Sequence, residues 1–203
     1  MMNTTFRLGA GLALLAVSAL GMAQSKTFKV LDDKLQFRNL ATVESSTDFE
    51  TFTGRTSKVT GSIMFDVAKK TGSGTIEVDA ASIDTAIELR NEHMRSAGWL
   101  DVAKYPTIKF ATTSVKSKGG DRYAITGAFT LHGVTRTVST EATVRYRPES
   151  AETKAVGFEG NVILISTSFK VKLSDFGIKI PSQAAGKVSD TVVIGLKAYA
   201  TGK

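Results

Sequence analysis

The stretch RYAITGAFTLHGV, Arg122 to Val134, decides the fold. Tyr123, Ile125, Phe129 and Leu131 fall on one side of an extended chain, and Thr126, Thr130 and His132 on the other. A period of two marks a half-buried strand, with one face in a core and one in water. Turn residues bracket it: Lys118-Gly119-Gly120-Asp121 reads as a hairpin connection before it, and Gly133-Val134-Thr135 as another after it.

The same alternation recurs outward in both directions. Val138, Ala142, Val144 and Tyr146 oppose Thr137, Ser139, Glu141, Thr143 and Arg145; Val59, Ile63 and Phe65 oppose Lys58, Thr60 and Ser62; Ile108 and Phe110 oppose Thr107 and Lys109. NVILISTSF and DTVVIGLKAYA are denser in apolar residues, which predicts strands covered on both sides for part of their length. Lys69 to Gly74 reads as a loop before GTIEVDAASI. About eight strands result. With one helical insert they favour an all-β, closed antiparallel barrel, since closure removes exposed edges. A two-sheet sandwich is the structural alternative.

The insert is RNEHMRSAGWLDVAKYPTIKF, Arg90 to Phe110, and the helical pattern leads into it from upstream. Ser82 or Asp84 can cap a helix whose residues Ile83, Ile87, Arg90 and Met94 share one face. Gly98 is placed to end it in a left-handed conformation, Trp99 and Leu100 follow with apolar contact, and Tyr105-Pro106 starts the next strand. An apolar helix face needs something to cover, and on a barrel that object is an open end, so the insert reads as a lid or plug. His93, with Glu92 beside it and Asp101 nearby, permits a carboxylate–imidazole pair or a metal site. Adjacent helical residues do not face each other, and no HExxH spacing is present. A structural, hydrogen-bonded His93 is therefore preferred over ligand contact, metal or catalysis, and His132 is expected at a solvent-facing strand end. No serine sits in a G-x-S-x-G elbow and no glycine-rich phosphate loop precedes a helix.

At the N-terminus, Arg7 precedes the apolar run LGAGLALLAVSALGM, which ends in small residues at Gly21 and Ala23. This reads as a secretory signal peptide over residues 1–23, too short to span a bilayer, with cleavage after Ala23 leaving one domain over residues 24–203 that is periplasmic or secreted. The chain contains no cysteine, which excludes disulfides, thiolate ligands and a thiol nucleophile. Loss of Arg7 lowers the net charge from +7 to +6. The lysines are scattered singly along strands without interleaved aromatics, so no nucleic-acid partner is expected; a solvated basic surface is, with transient contact to an anionic membrane surface as the lesser reading. Pairing into a homodimer is left open.

Several segments together resemble the YceI-like family of exported bacterial proteins: GSGTIEVDAASIDTAIELRNEHMRS, LDVAKYPTIKF, YAITGAFTLHGVTRTV and LSDFGIKIPS, in order along most of the chain from Val59. The resemblance implies a lipocalin-like eight-stranded barrel that binds a long isoprenoid or similar amphiphile in its interior, without catalysis, metal or cofactor. Asn91 stands where an aspartate is common and Trp99 where a phenylalanine is common. ATVESSTDFETFTGRT is polar and lacks the histidine found in the apolar first strands of lipid-binding members. The expected interior is Ile63, Phe65, Ile76, Val78, Ile108, Phe110, Phe129, Leu131 and Val144, under a lid of Ile87, Met94 and Trp99. Periodicity does not separate a cavity from a filled core. The alternative is accordingly a filled barrel that acts in envelope stress or interaction through its outer surface.

Overall fold

The computed structural model describes residues 25–32 and 34–203, so the expected signal peptide lies outside the described residues. Among the described residues ten strands form one antiparallel sheet: β1 (Lys26–Val30), β2 (Leu40–Ser46), β3 (Thr51–Thr56), β4 (Val59–Asp66), β5 (Thr71–Asp79), β6 (Thr107–Ser117), β7 (Arg122–Leu131), β8 (Val134–Arg147), β9 (Asn161–Lys172) and β10 (Thr191–Gly202). Eight of them close a barrel in the order β1-β4-β5-β6-β7-β8-β9-β10, the last pairing β1 through Lys29↔Thr201 and Val30↔Ala200. The other two come from the polar stretch. β2 pairs the first half of β10, from Val192↔Ser45 to Lys197↔Leu40, and β3 pairs β2, so the hairpin raises the wall at one end of the barrel.

Turn chemistry fixes the registers. His132 (φ 50°) and Gly133 (φ 71°) both adopt left-handed conformations and join β7 to β8 as a two-residue hairpin turn. His132 is not a solvent-facing strand end. Its Nδ1 lies 3.2 Å from the Phe176 carbonyl oxygen and its ring packs edge-on to Tyr105, which ties the turn to the segment after β9. The expected loop over Lys69–Gly74 is shorter than its composition suggests, because β5 already begins at Thr71. Gly72 and Gly74 belong to the strand: a Cβ there would sit 2.6 Å from the Met64 carbonyl oxygen and 2.9 Å from that of Ser62, so glycine permits the close approach of β4.

The interior has two parts. At one end Phe28, Val30, Val59, Ile63, Phe65, Tyr123, Val144, Ile163, Ala198 and Ala200 form a filled core, with Phe65 edge-on to Tyr123 at 5.9 Å. Outside it, Val162 packs with Leu31 and Phe158, so β9 is covered on both faces where its sequence is densest. At the other end Phe129, Leu131, Val171, Leu173, Phe176, Ile178 and Val192 form a second cluster.

Candidate functional site

The helical insert covers this second end, and it is built differently from the pattern expected. The Asp79 carboxylate accepts from the Ala81 N–H and caps a short 3-10 turn over Ala80–Ser82. The chain then runs extended, Asp84 bridges to Arg55 of β3, and Ala86 (φ 61°) redirects it into α1 (Glu88–Arg95). Neither Ser82 nor Asp84 caps that helix, which is two turns long, and Gly98 does not end it in a left-handed conformation; the positive φ falls at Asp101 (46°). The strand bridge and the bend at Ala86 are tertiary demands that override the periodicity read from Ile83 onward.

Asn91, on α1 and only 2% exposed, locks this arrangement. Its Oδ1 accepts from the Thr85 N–H and the Thr85 hydroxyl, each at 2.8 Å, and its Nδ2 donates to Asp84 Oδ1 at 2.8 Å. That donor is the main reason the Asp84 carboxyl is held below the usual aspartate range, helped by the Ala86 N–H and the nearby Arg55 and Arg95 charges. Across the barrel mouth, Arg90 of α1 donates to Glu50 Oε1 at 2.5 Å, and its guanidinium stacks 4.3 Å over the Phe52 ring of β3. The lid is thus tied at its base by Asn91 and at its free side by Arg90.

Beneath it lies a cavity of about 610 Å³. Four groups of residues line it and leave it half-open to solvent: Ile83, Ile87, Leu89, Arg90, His93 and Met94 from the lid; Trp99, Leu100, Ile108, Phe129 and Leu131 from the following loop, β6 and β7; Val43, Ser45, Glu50 and Phe52 from the β2–β3 hairpin; and Leu173, Ile178, Pro181, Gln183, Ala184, Lys187, Val188, Val192 and Ile194 from the C-terminal segment. The volume lies in the range of small-molecule sites, and the wall is apolar with its few polar groups confined to Ser45, Glu50, Arg90, His93, Gln183 and Lys187.

The structure brings six of the expected residues to this wall: Ile87, Met94, Trp99, Ile108, Phe129 and Leu131. The other six lie elsewhere. Ile63, Phe65 and Val144 belong to the filled core, with Ile76 and Val78 packed against it, and Phe110 packs against the second cluster 6.2 Å from the Phe169 ring. Ile83 and Arg90, expected on one helix face, both reach the cavity although Ile83 precedes the helix. His93 is exposed at the wall and its imidazole makes no hydrogen bond among the described residues; it pairs with neither Glu92 nor Asp101. No group of three metal-ligating side chains occurs among the described residues. Sequence reading missed Val43 and Phe52, each a single apolar residue inside a Ser/Thr-rich run, and the wall contributed by LSDFGIKIPS and the residues after it.

A closed eight-stranded barrel with one lidded apolar chamber is the architecture of a binding protein. The YceI-like domain matches residues 30–200, and the chain belongs to that family. A UPF0312 protein of Shewanella denitrificans is 35% identical over 173 residues, 83% of this chain and 86% of that protein. Protein YceI of Escherichia coli O157:H7 is 38% identical over 119 residues, 58% of each chain. The crystal structure of Burkholderia cenocepacia BcnA shares the fold with a TM-score of 0.69 at 24% identity, covering 82% of this chain and 98% of that one.

Proposed function

We propose that the protein is an exported, non-catalytic binding protein that holds an isoprenoid or similar long-chain amphiphile in the chamber under α1. The observation that carries this reading is the 610 Å³ apolar cavity itself, half-open at one end of a barrel whose other end is solid. Burial supplies the affinity: ten methylene equivalents removed from water contribute roughly 8 kcal/mol before the cost of immobilisation. Residues 1–23 supply export to the periplasm or beyond. Ile87 (49% exposed) and Leu89 (62% exposed) line the chamber while remaining open to solvent, an apolar margin suited to transient contact with a membrane surface during loading. Native mass spectrometry of the chain purified without detergent, followed by organic extraction, tests the reading. A released apolar species, lost in Trp99→Ala, is the expected result. Protein that is empty and refuses prenyl and fatty chains of several lengths would overturn it.

One observation favours the second reading, an interaction protein working through its outer surface. The β8–β9 ladder covers only Ala142↔Thr167 to Arg147↔Val162, after which the strands part. The resulting cleft is lined by Arg136, Lys170 and Lys172 together with Asp175.

A further inference from the structure

Resting on the chamber reading above, we propose that the occupant carries an anionic head, received by the ammonium group of Lys187. Among the described residues three charged side chains line the chamber: Glu50, Arg90 and Lys187. The first two neutralise each other through the 2.5 Å contact between the Arg90 guanidinium and Glu50 Oε1, and the face of the guanidinium is spent on Phe52. Lys187 is left over. Its ammonium has no partner among the described residues, so the wall carries an unbalanced positive charge and no unbalanced negative one.

The position of Lys187 is fixed rather than incidental. The Thr47 hydroxyl donates to the Gly186 carbonyl at 2.7 Å, the Lys187 N–H donates to the Ala184 carbonyl at 3.0 Å, and the Ser189 N–H donates to Ser45 Oγ at 2.9 Å. The first and last of these bonds tie the segment that carries Lys187 to the β2–β3 hairpin on both sides of the residue, and the second folds the segment on itself. A long flexible stem with a charged tip, anchored at the margin of an apolar chamber, meets the head of a chain whose tail lies inside. At the roughly 30 Å³ that a water-sized group occupies in a liquid, the chamber holds on the order of twenty such groups, which is one chain and not two. A fatty carboxylate, or a prenyl chain ending in phosphate, has this form.

The test compares palmitate, hexadecanol and hexadecylamine, which share one tail and differ in head, titrated into the full-length mature chain. Trp99 is the only tryptophan and lines the chamber, so its fluorescence reports occupancy directly. Palmitate is expected to bind about tenfold tighter than hexadecanol, with the amine weakest, which is the scale of one charge-assisted hydrogen bond discounted for exposure. In Lys187→Gln, an exposed position whose loss leaves the core intact, palmitate falls to the level of hexadecanol while hexadecanol is unchanged. Equal affinity of acid and alcohol for the native protein would overturn the proposal. So would a preference for acid that survives in Lys187→Gln, since another group would then hold the head. Failure of all three to bind would instead remove the chamber reading on which the proposal rests.

Discussion

The two ends of this barrel share most of their strands and differ in what the strands enclose. At the filled end Phe28, Ile163, Ala198 and Ala200 are fully buried, and each strand sends its alternate side chains into a solid core. At the lidded end the same strands continue, yet Ile108 and Ile194 have an open chamber on one side and are only partly buried. The difference lies in the enclosure. The filled end is closed by side chains packed against one another, whereas the other is closed by a helix, a hairpin and a C-terminal segment held together by a few polar contacts. Stability and binding are thereby separated: one end holds the larger buried cluster, and the other keeps a cavity open because removing it would require those segments to collapse inward.

The sharpest way to break this comparison is to shorten one isoleucine at each end. Ile163→Ala removes a fully buried side chain and is expected to cost about 4 kcal/mol in urea unfolding of ligand-free protein. Ile194→Ala enlarges a cavity that already exists and loses fewer contacts, so about 2 kcal/mol is expected. Equal costs would mean that the chamber wall is packed in solution. A comparable effect of different kind is expected from Asn91→Ala. It leaves the buried Thr85 N–H without an acceptor, at a cost of about 2 kcal/mol, and the loss should be local: amide exchange accelerates across residues 83–100 while β7 to β10 stay protected. Acceleration spread evenly over the strands would show that lid and barrel are one unit.

The alternation of β7, β8 and β4 was legible because burying one face of a strand forces a period of two on its residues, and the closed barrel follows from the number of such runs. The apolar face of the helical insert added the lid, since such a face needs an open barrel end to cover. The division of the interior was not legible, since Phe65 in the filled core and Phe129 on the chamber wall obey the same alternation. Nor was the role of the hairpin: β2 and β3 each send one apolar side chain, Val43 and Phe52, into the chamber among residues whose polarity suits the outside. The helix was placed too early because Ile83 keeps helical spacing with Ile87 while its backbone is held extended beside β3.

A smaller effect is expected at the free side of the lid. Glu50→Gln removes the ion pair with Arg90 at a site where the two side chains are 34% and 25% exposed, and the guanidinium keeps its stacking on Phe52. The cost should stay below about 1 kcal/mol and shrink further in high salt, as measured by unfolding at two ionic strengths. A loss several times larger, insensitive to salt, would make Arg90 and not Asn91 the principal tie.

The smallest effect belongs to Asp84 at the base of the lid and shows only in acid. In the unfolded chain its carboxyl takes the ordinary value, about 3.9; in the folded protein it lies lower, chiefly because the Asn91 amide donates to it and secondly because the Ala86 N–H does. A depressed carboxylate contributes stability that is fully present above the unfolded value and is lost as the pH falls through the folded one. The lid should therefore be indifferent to pH across the neutral range and down to about 5, with the indole resonance of Trp99 unmoved, and should loosen only below the ordinary aspartate range. Direct NMR titration of Asp84 is the check. In Asn91→Ala the main stabilising donor is gone, so the titration should move back up toward the ordinary value; if it stays where it was, the hydrogen bond from Asn91 is not what holds the carboxylate, and the Ala86 N–H, with the Arg55 and Arg95 charges behind it, holds it instead.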